Sequence, residues 1–157
     1  MASHRDILEF RSKYIINELK QTMNQIVNHP FWNTHAVLIA RVLLGGFFLI
    51  AGVQKIMGGV DGTAGYITSA GLPMGLLLAW LAIAVEIGAG AAIILGKYFK
   101  EAAIVLAVFT LVITFIFHGP NSWAAENMQQ GMFMKNMAII AGLLYMAAFG
   151  SGNTWKM

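Results

Sequence analysis

The chain has 157 residues, of which ten are basic, seven acidic and 58% hydrophobic, with no cysteine and a mean hydropathy of +0.68. A soluble domain of this length carries about 25% charged residues, against 11% here, so an ordinary water-facing globule is excluded. Seven of the charges fall in the first 35 residues, which predicts a polar N-terminal segment followed by an apolar, membrane-embedded body. The missing cysteines exclude disulfides, thiolate metal sites and a catalytic thiol.

The first 28 residues do not read as a signal peptide, because no apolar stretch or small-residue cleavage site follows the early charges. Ser3 and Asp6 have capping-box spacing at a helix start. At 100° per residue Leu8, Ile15, Leu19 and Ile26 fall on one side, flanked by Ile16 and Met23, with Lys13, Asn17, Lys20 and Asn24 roughly opposite. Residues 1–35 are therefore expected to form an amphipathic interfacial helix, suited to the membrane surface, a partner groove or a contact between copies. His29-Pro30-Phe31-Trp32 should end it, with Trp32 in the interfacial aromatic belt.

Residues 36–157 hold four long apolar segments, at about 36–57, 73–95, 102–118 and 133–149. A helix rises 1.5 Å per residue, so each comes close to or exceeds the length needed to cross a bilayer core of roughly 30 Å. The expected fold is all-α, a four-helix integral membrane bundle preceded by the amphipathic helix. Four spans put both termini on one side, together with the Gly96–Glu101 loop. That side holds Arg5, Arg11, Lys13, Lys20, Lys97, Lys100 and Lys156, while the other holds only Lys55 and Lys135. By the positive-inside rule the termini face the cytoplasm.

Charges inside a bilayer need a partner or a task. Arg41, Gly45, Phe48, Gly52 and Lys55 follow the 4-3-4-3 spacing of one helix face, which should point into the bundle. Glu86 is the one charge of the second span, where Ala84, Gly88 and Ala92 offer a second small-residue strip for close helix approach. If the spans align at their midpoints, Glu86 lies about 3 Å and Arg41 about 8 Å to the terminal side, and Lys55 about 13 Å to the outer side. That arithmetic predicts an Arg41–Glu86 ion pair, the alternative being that Glu86 is a proton carrier. Thr110, Thr114 and His118 form a stripe at four-residue spacing, explicable as hydroxyls bonding back along the helix. Lys55, Gln54, His118, Lys135 and Asn136 should all lie in the outer part of the bundle. They could compose an anion- or carbonyl-binding site, or be snorkelling lysines beside an interfacial histidine. Too few interior ligands exist for a metal or a bis-histidine haem, and nothing points to nucleic acid.

The run from Arg41 through Gly45-Gly46 to Gln54-Lys55 resembles the opening of the DoxX family of small four-span bacterial membrane proteins. Gly71-Leu-Pro73, Glu86-Ile-Gly-Ala-Gly90 and a histidine ending the third span fit it as well. The resemblance covers about residues 36–150. It implies a bacterial inner-membrane protein with relatives in quinone-dependent sulfur oxidation or membrane redox complexes. The leading expectation is a quinone-linked component, with a quinone near Lys55, His118 and Lys135 and a partner subunit handling electrons. The alternative is a non-catalytic subunit that anchors or stabilises a larger complex through its N-terminal helix.

Overall fold

The computed structural model of the chain describes residues 4–29, 31–123 and 127–152. Ser3 of the expected capping box, Pro30 and Lys156 lie outside them. Among the described residues there are six α-helices and no strand. They are α1 (His4–Val27), α2 (Val37–Met57), α3 (Val60–Ser69), α4 (Gly75–Leu95), α5 (Phe99–His118) and α6 (Asn127–Phe149). A π-helical turn at Trp32–Ala36 leads into α2 and a 3₁₀ turn at Pro120–Ser122 follows α5.

Four stretches are long and apolar enough to cross a membrane: Thr34–Met57, Gly75–Leu95, Phe99–His118 and Met128–Phe149. This is the expected four-span bundle, with the third and fourth spans extended at their starts. Adjacent helices pack in the order α2, α4, α5, α6, and α3 lies against α4. The core joins Phe48 of α2, Ile93 of α4, Leu106 of α5 and Leu143 of α6. Because lipid tails are as apolar as leucine, such helices associate through close packing and hydrogen bonds rather than through burial from water.

Glycine supplies the close packing between α2 and α4. A Cβ on Gly45 would stand 2.7 Å from the Gly90 carbonyl oxygen, and one on Gly52 would meet Ile87 at 2.6 Å. The Ala84-Gly88-Ala92 strip has no such role: Ala84 and Gly88 are exposed, and a Cβ on Gly88 would meet nothing within 4 Å. Gly90, on the opposite side of α4, makes the close backbone contact, while Ala92 only packs, partly buried, against the core.

Two features of the loops bear on the site. Gly96 adopts φ 73° and donates its N–H to the Ile93 carbonyl, closing α4 with a left-handed residue. On the outer side α3 occupies what the sequence suggested was simple loop. Its glycines, Gly62 and Gly65, make it a poor helix by propensity. Packing on α4 compensates, since Gly75 brings the chain so close to Ala64 and Thr68 that no side chain would fit. Tyr66 stacks on Phe117 with ring centroids 4.9 Å apart, fastening α3 to α5 as well.

Candidate functional site

The Arg41 face of α2 does point inward: Arg41, Gly45, Phe48 and Gly52 are all buried. Its two cations, however, serve different partners from those the midpoint arithmetic assigned. Arg41 donates from Nε to the Ile93 carbonyl at 3.0 Å and from Nη2 to the Ile94 carbonyl at 2.7 Å. A third bond runs from Nη1 to the Ser151 carbonyl at 3.4 Å. Its guanidinium carbon also stands 5.7 Å from the Phe99 ring centroid. A cation at the C-terminal end of α4 meets both last-turn carbonyls, that of Ile93 shared with the Gly96 N–H, and the negative end of the helix dipole. Arg41 thus joins the ends of α2, α4, α5 and the segment after α6.

Glu86 pairs with Lys55, not with Arg41. The ammonium lies 2.8 Å from one carboxylate oxygen and 2.7 Å from the other. The side chain of Glu86 is 5% exposed and that of Lys55 29%. The expected Arg41–Glu86 pair fails because the spans do not align at their midpoints. Gly45 sits against Gly90, and Gly52 against Ile83, Glu86 and Ile87. This register places Lys55 three residues, or about 4.5 Å, beyond the level of Glu86, within reach of a lysine side chain. Glycine contacts, not span lengths, set the depth of each charge.

The remaining residues of the outer constellation keep separate partners. Asn136 is buried and donates from Nδ2 to the Thr114 hydroxyl at 2.9 Å, tying α6 to α5. Thr114 in turn donates to the Thr110 carbonyl one turn back, as expected for an intramembrane threonine. The Thr110 hydroxyl is buried without a hydrogen-bond partner. His118 Nδ1 is 2.6 Å from Gln129 Oε1, and its carbonyl accepts the Trp123 indole N–H at 3.0 Å. Lys135 is exposed, with its ammonium 5.6 Å from the Phe47 ring centroid, and Gln54 is exposed. Among the described residues no hydrogen bond or ion pair joins Lys55 to His118 or Lys135. The five residues share a depth range without converging on one point.

A wide hollow lies elsewhere. The edge helices α2 and α6 part to leave a cleft of about 1400 Å³. Its walls are apolar: Val37, Leu44 and Phe47 on one side, Ile139, Gly142 and Met146 on the other. Trp32, Tyr98 and Tyr145 also line it, and Lys100, Glu101 and the backbone of 150–152 gather its polar atoms at the terminal end. Lys135, over Phe47, marks the outer end. Sequence reasoning missed this cleft because it is defined by where two helices that are neighbours in space but not in sequence part. Its one legible signal was Gly142, a glycine in the middle of an otherwise well-filled span.

A short chain with four spans, glycine-set helix register and two cations on one helix face with different partners defines a small multi-pass membrane protein. The DoxX family model matches residues 36–119, and the chain belongs to that family. It is 41% identical over 116 residues to Inner membrane protein YqjF of Escherichia coli (strain K12), covering 74% of this chain and 85% of that protein. Inner membrane protein YphA of the same organism is 34% identical over 118 residues, covering 74% and 84%. No solved structure matches the chain. The family match takes in Arg41, Lys55, Glu86 and His118, whereas α1, Lys135 and Asn136 lie outside it.

Proposed function

We propose that this protein is a quinone-linked component of a membrane redox system and that it holds the quinone in the α2/α6 cleft. The observation that carries this reading is the cleft itself: a largely apolar cavity between α2 and α6 whose charged lining residues, Lys100 and Glu101, sit together at the start of α5. Such a shape suits an amphiphile with an apolar tail and a compact polar head. Aromatic rings at the terminal end, from Trp32, Tyr98 and Tyr145, give a flat head group stacking surfaces. What the DoxX resemblance of the sequence motifs implies, a link to membrane redox systems, supplies the chemical class. The chain has no cysteine, and among the described residues no cluster of three or more His, Asp or Glu could hold a metal; in this reading a partner subunit exchanges electrons with the bound quinone. The relatives' names support placement in a bacterial inner membrane. The seven-to-two distribution of cations supports cytoplasmic termini.

The Lys55–Glu86 pair has a structural role in this account. A buried carboxylate held by one ammonium joins α2 to α4 and leaves the cleft, on the other side of α2, to the ligand.

The test is a chromatographic assay of quinone in extracts of the purified full-length protein. Near-stoichiometric quinone is expected. A Cβ on Gly142 would meet only Leu44, at 3.9 Å, so Gly142→Phe should fill the cleft without disturbing the fold. That variant should lose most of the quinone at an unchanged melting temperature. Absence of quinone from the parent, with a reproducible protein partner in its place, would favour the anchoring role instead. Quinone retained in full by Gly142→Phe would remove it from the cleft.

A further inference from the structure

Helix α1 is 24 residues long, and every side chain described along it, from Leu8 to Val27, is exposed. Leu8, Ile15, Leu19, Met23 and Ile26 are each at least half exposed, on a face that nothing in the bundle covers. We infer that α1 lies along the bilayer surface on the terminal side, its apolar face among the lipid head groups and Arg11 and Lys20 on its flanks reaching anionic phosphates.

Three observations choose the bilayer over another protein. The first is position. The Trp32 indole N–H donates to the Ile26 carbonyl at 2.8 Å, and the first span begins at Thr34. The last turn of α1 is thereby held at the border of the membrane. A helix tethered there needs little affinity to settle on the surface, because its effective concentration is already high.

The second is the composition of the face. Read as a helix–helix seam, its positions are Leu8, Ser12, Ile15, Leu19, Thr22 and Ile26. Hydroxyl residues at two of six positions would spoil the knobs of a coiled coil. Among head groups they find water and phosphate oxygens at no cost.

The third is charge. On a helical wheel Lys20 falls beyond one edge of the apolar arc and Arg11 beyond the other, where cations snorkel toward phosphates. Of the acids described in α1, Glu9 is already held by Lys13 at 2.7 Å, leaving Glu18 on the flank with Arg11.

The chain has no cysteine, so single spin labels can be placed without altering its background. Ile15→Cys, Leu19→Cys, Asn17→Cys and Asn24→Cys would be labelled in the full-length protein in vesicles containing phosphatidylglycerol. Labels at 15 and 19 should be several-fold more accessible to oxygen, and several-fold less to a water-soluble nickel chelate, than labels at 17 and 24. The contrast should shrink in vesicles of phosphatidylcholine alone, and an unchanged contrast would overturn the part assigned to the cations. Equal accessibility at all four positions would overturn the inference. So would labels at 15 and 19 shielded from both reagents and broadened by a second label, the signature of a seam between copies.

Discussion

Removing Lys55 should harm the protein more than removing Glu86, although the two form one ion pair. Lys55 is 29% exposed and Glu86 only 5%. After Glu86→Gln the lysine can swing its ammonium to the surface, whereas after Lys55→Met the carboxylate stays buried without its cation. Breaking a buried pair by deleting one member costs roughly 3 to 5 kcal/mol. The partial exposure of Lys55 puts Lys55→Met at the lower end, about 3 kcal/mol, and Glu86→Gln nearer 1 kcal/mol. At about 2 to 4 °C per kcal/mol for a chain of this size, the lysine variant should melt roughly 6 to 12 °C below the parent. Lys55→Met combined with Glu86→Leu should recover most of the loss, because a well-packed apolar pair does as well as a buried ionic one. Arg41→Met combined with Glu86→Gln should be additive. Arg41 bonds the carbonyl of Ile93, seven residues or about 10 Å along α4 from Glu86, beyond the range at which neighbours couple. Thermal unfolding in detergent, followed by tryptophan fluorescence, gives all these values. Strong coupling between Arg41 and Glu86, with none between Lys55 and Glu86, would refute the glycine-set register.

That register makes a second prediction. Gly45→Leu should unfold the bundle or cost several kcal/mol, since even a Cβ there strikes the Gly90 carbonyl and Ile94; Gly46→Ala, with nothing within 4 Å, should melt like the parent. Asn136→Leu removes a buried side-chain bond between α5 and α6, which are also joined by His118 and Gln129, and should cost about 0.6 to 2 kcal/mol, a normal interhelical bond in a membrane. A larger loss would mean that Asn136 holds more than Thr114. Reporter fusions after Gly152 and within α3 should be active on opposite sides of the membrane. Both reporting one side would contradict four spans.

The spans were legible because hydropathy and length suffice for them, and the inward face of α2 because its period is unbroken. The partners of the charges were not. Depth measured from span midpoints assumes that neighbouring helices start level, and α2 and α4 do not. The sequence did contain the direction of the correction: setting Gly45 against Gly90 in antiparallel helices brings Gly52 level with Ile83 and Lys55 to about 9 Å from Glu86 along the axis, nearer than Arg41 at about 12 Å. Small residues on facing helices would have been a better ruler than helix length. Helix α3 escaped notice for another reason, since Gly62 and Gly65 argue locally against a helix that only packing on Gly75 maintains. The outer constellation showed that shared depth is not shared location. Lys55 faces α4, Asn136 faces α5 and Lys135 lies over Phe47, so residues at similar heights are distributed around the bundle.

The central claim is that α2 and α6 stand apart to hold an amphiphile. A structure of the full-length protein in native lipid tests it most directly. Elongated density should run along the cleft lined by Val37, Phe47, Ile139 and Met146, with its head at the Trp32, Tyr98 and Tyr145 end. Helices α2 and α6 packed against each other, or a protein helix seated between them, would contradict it.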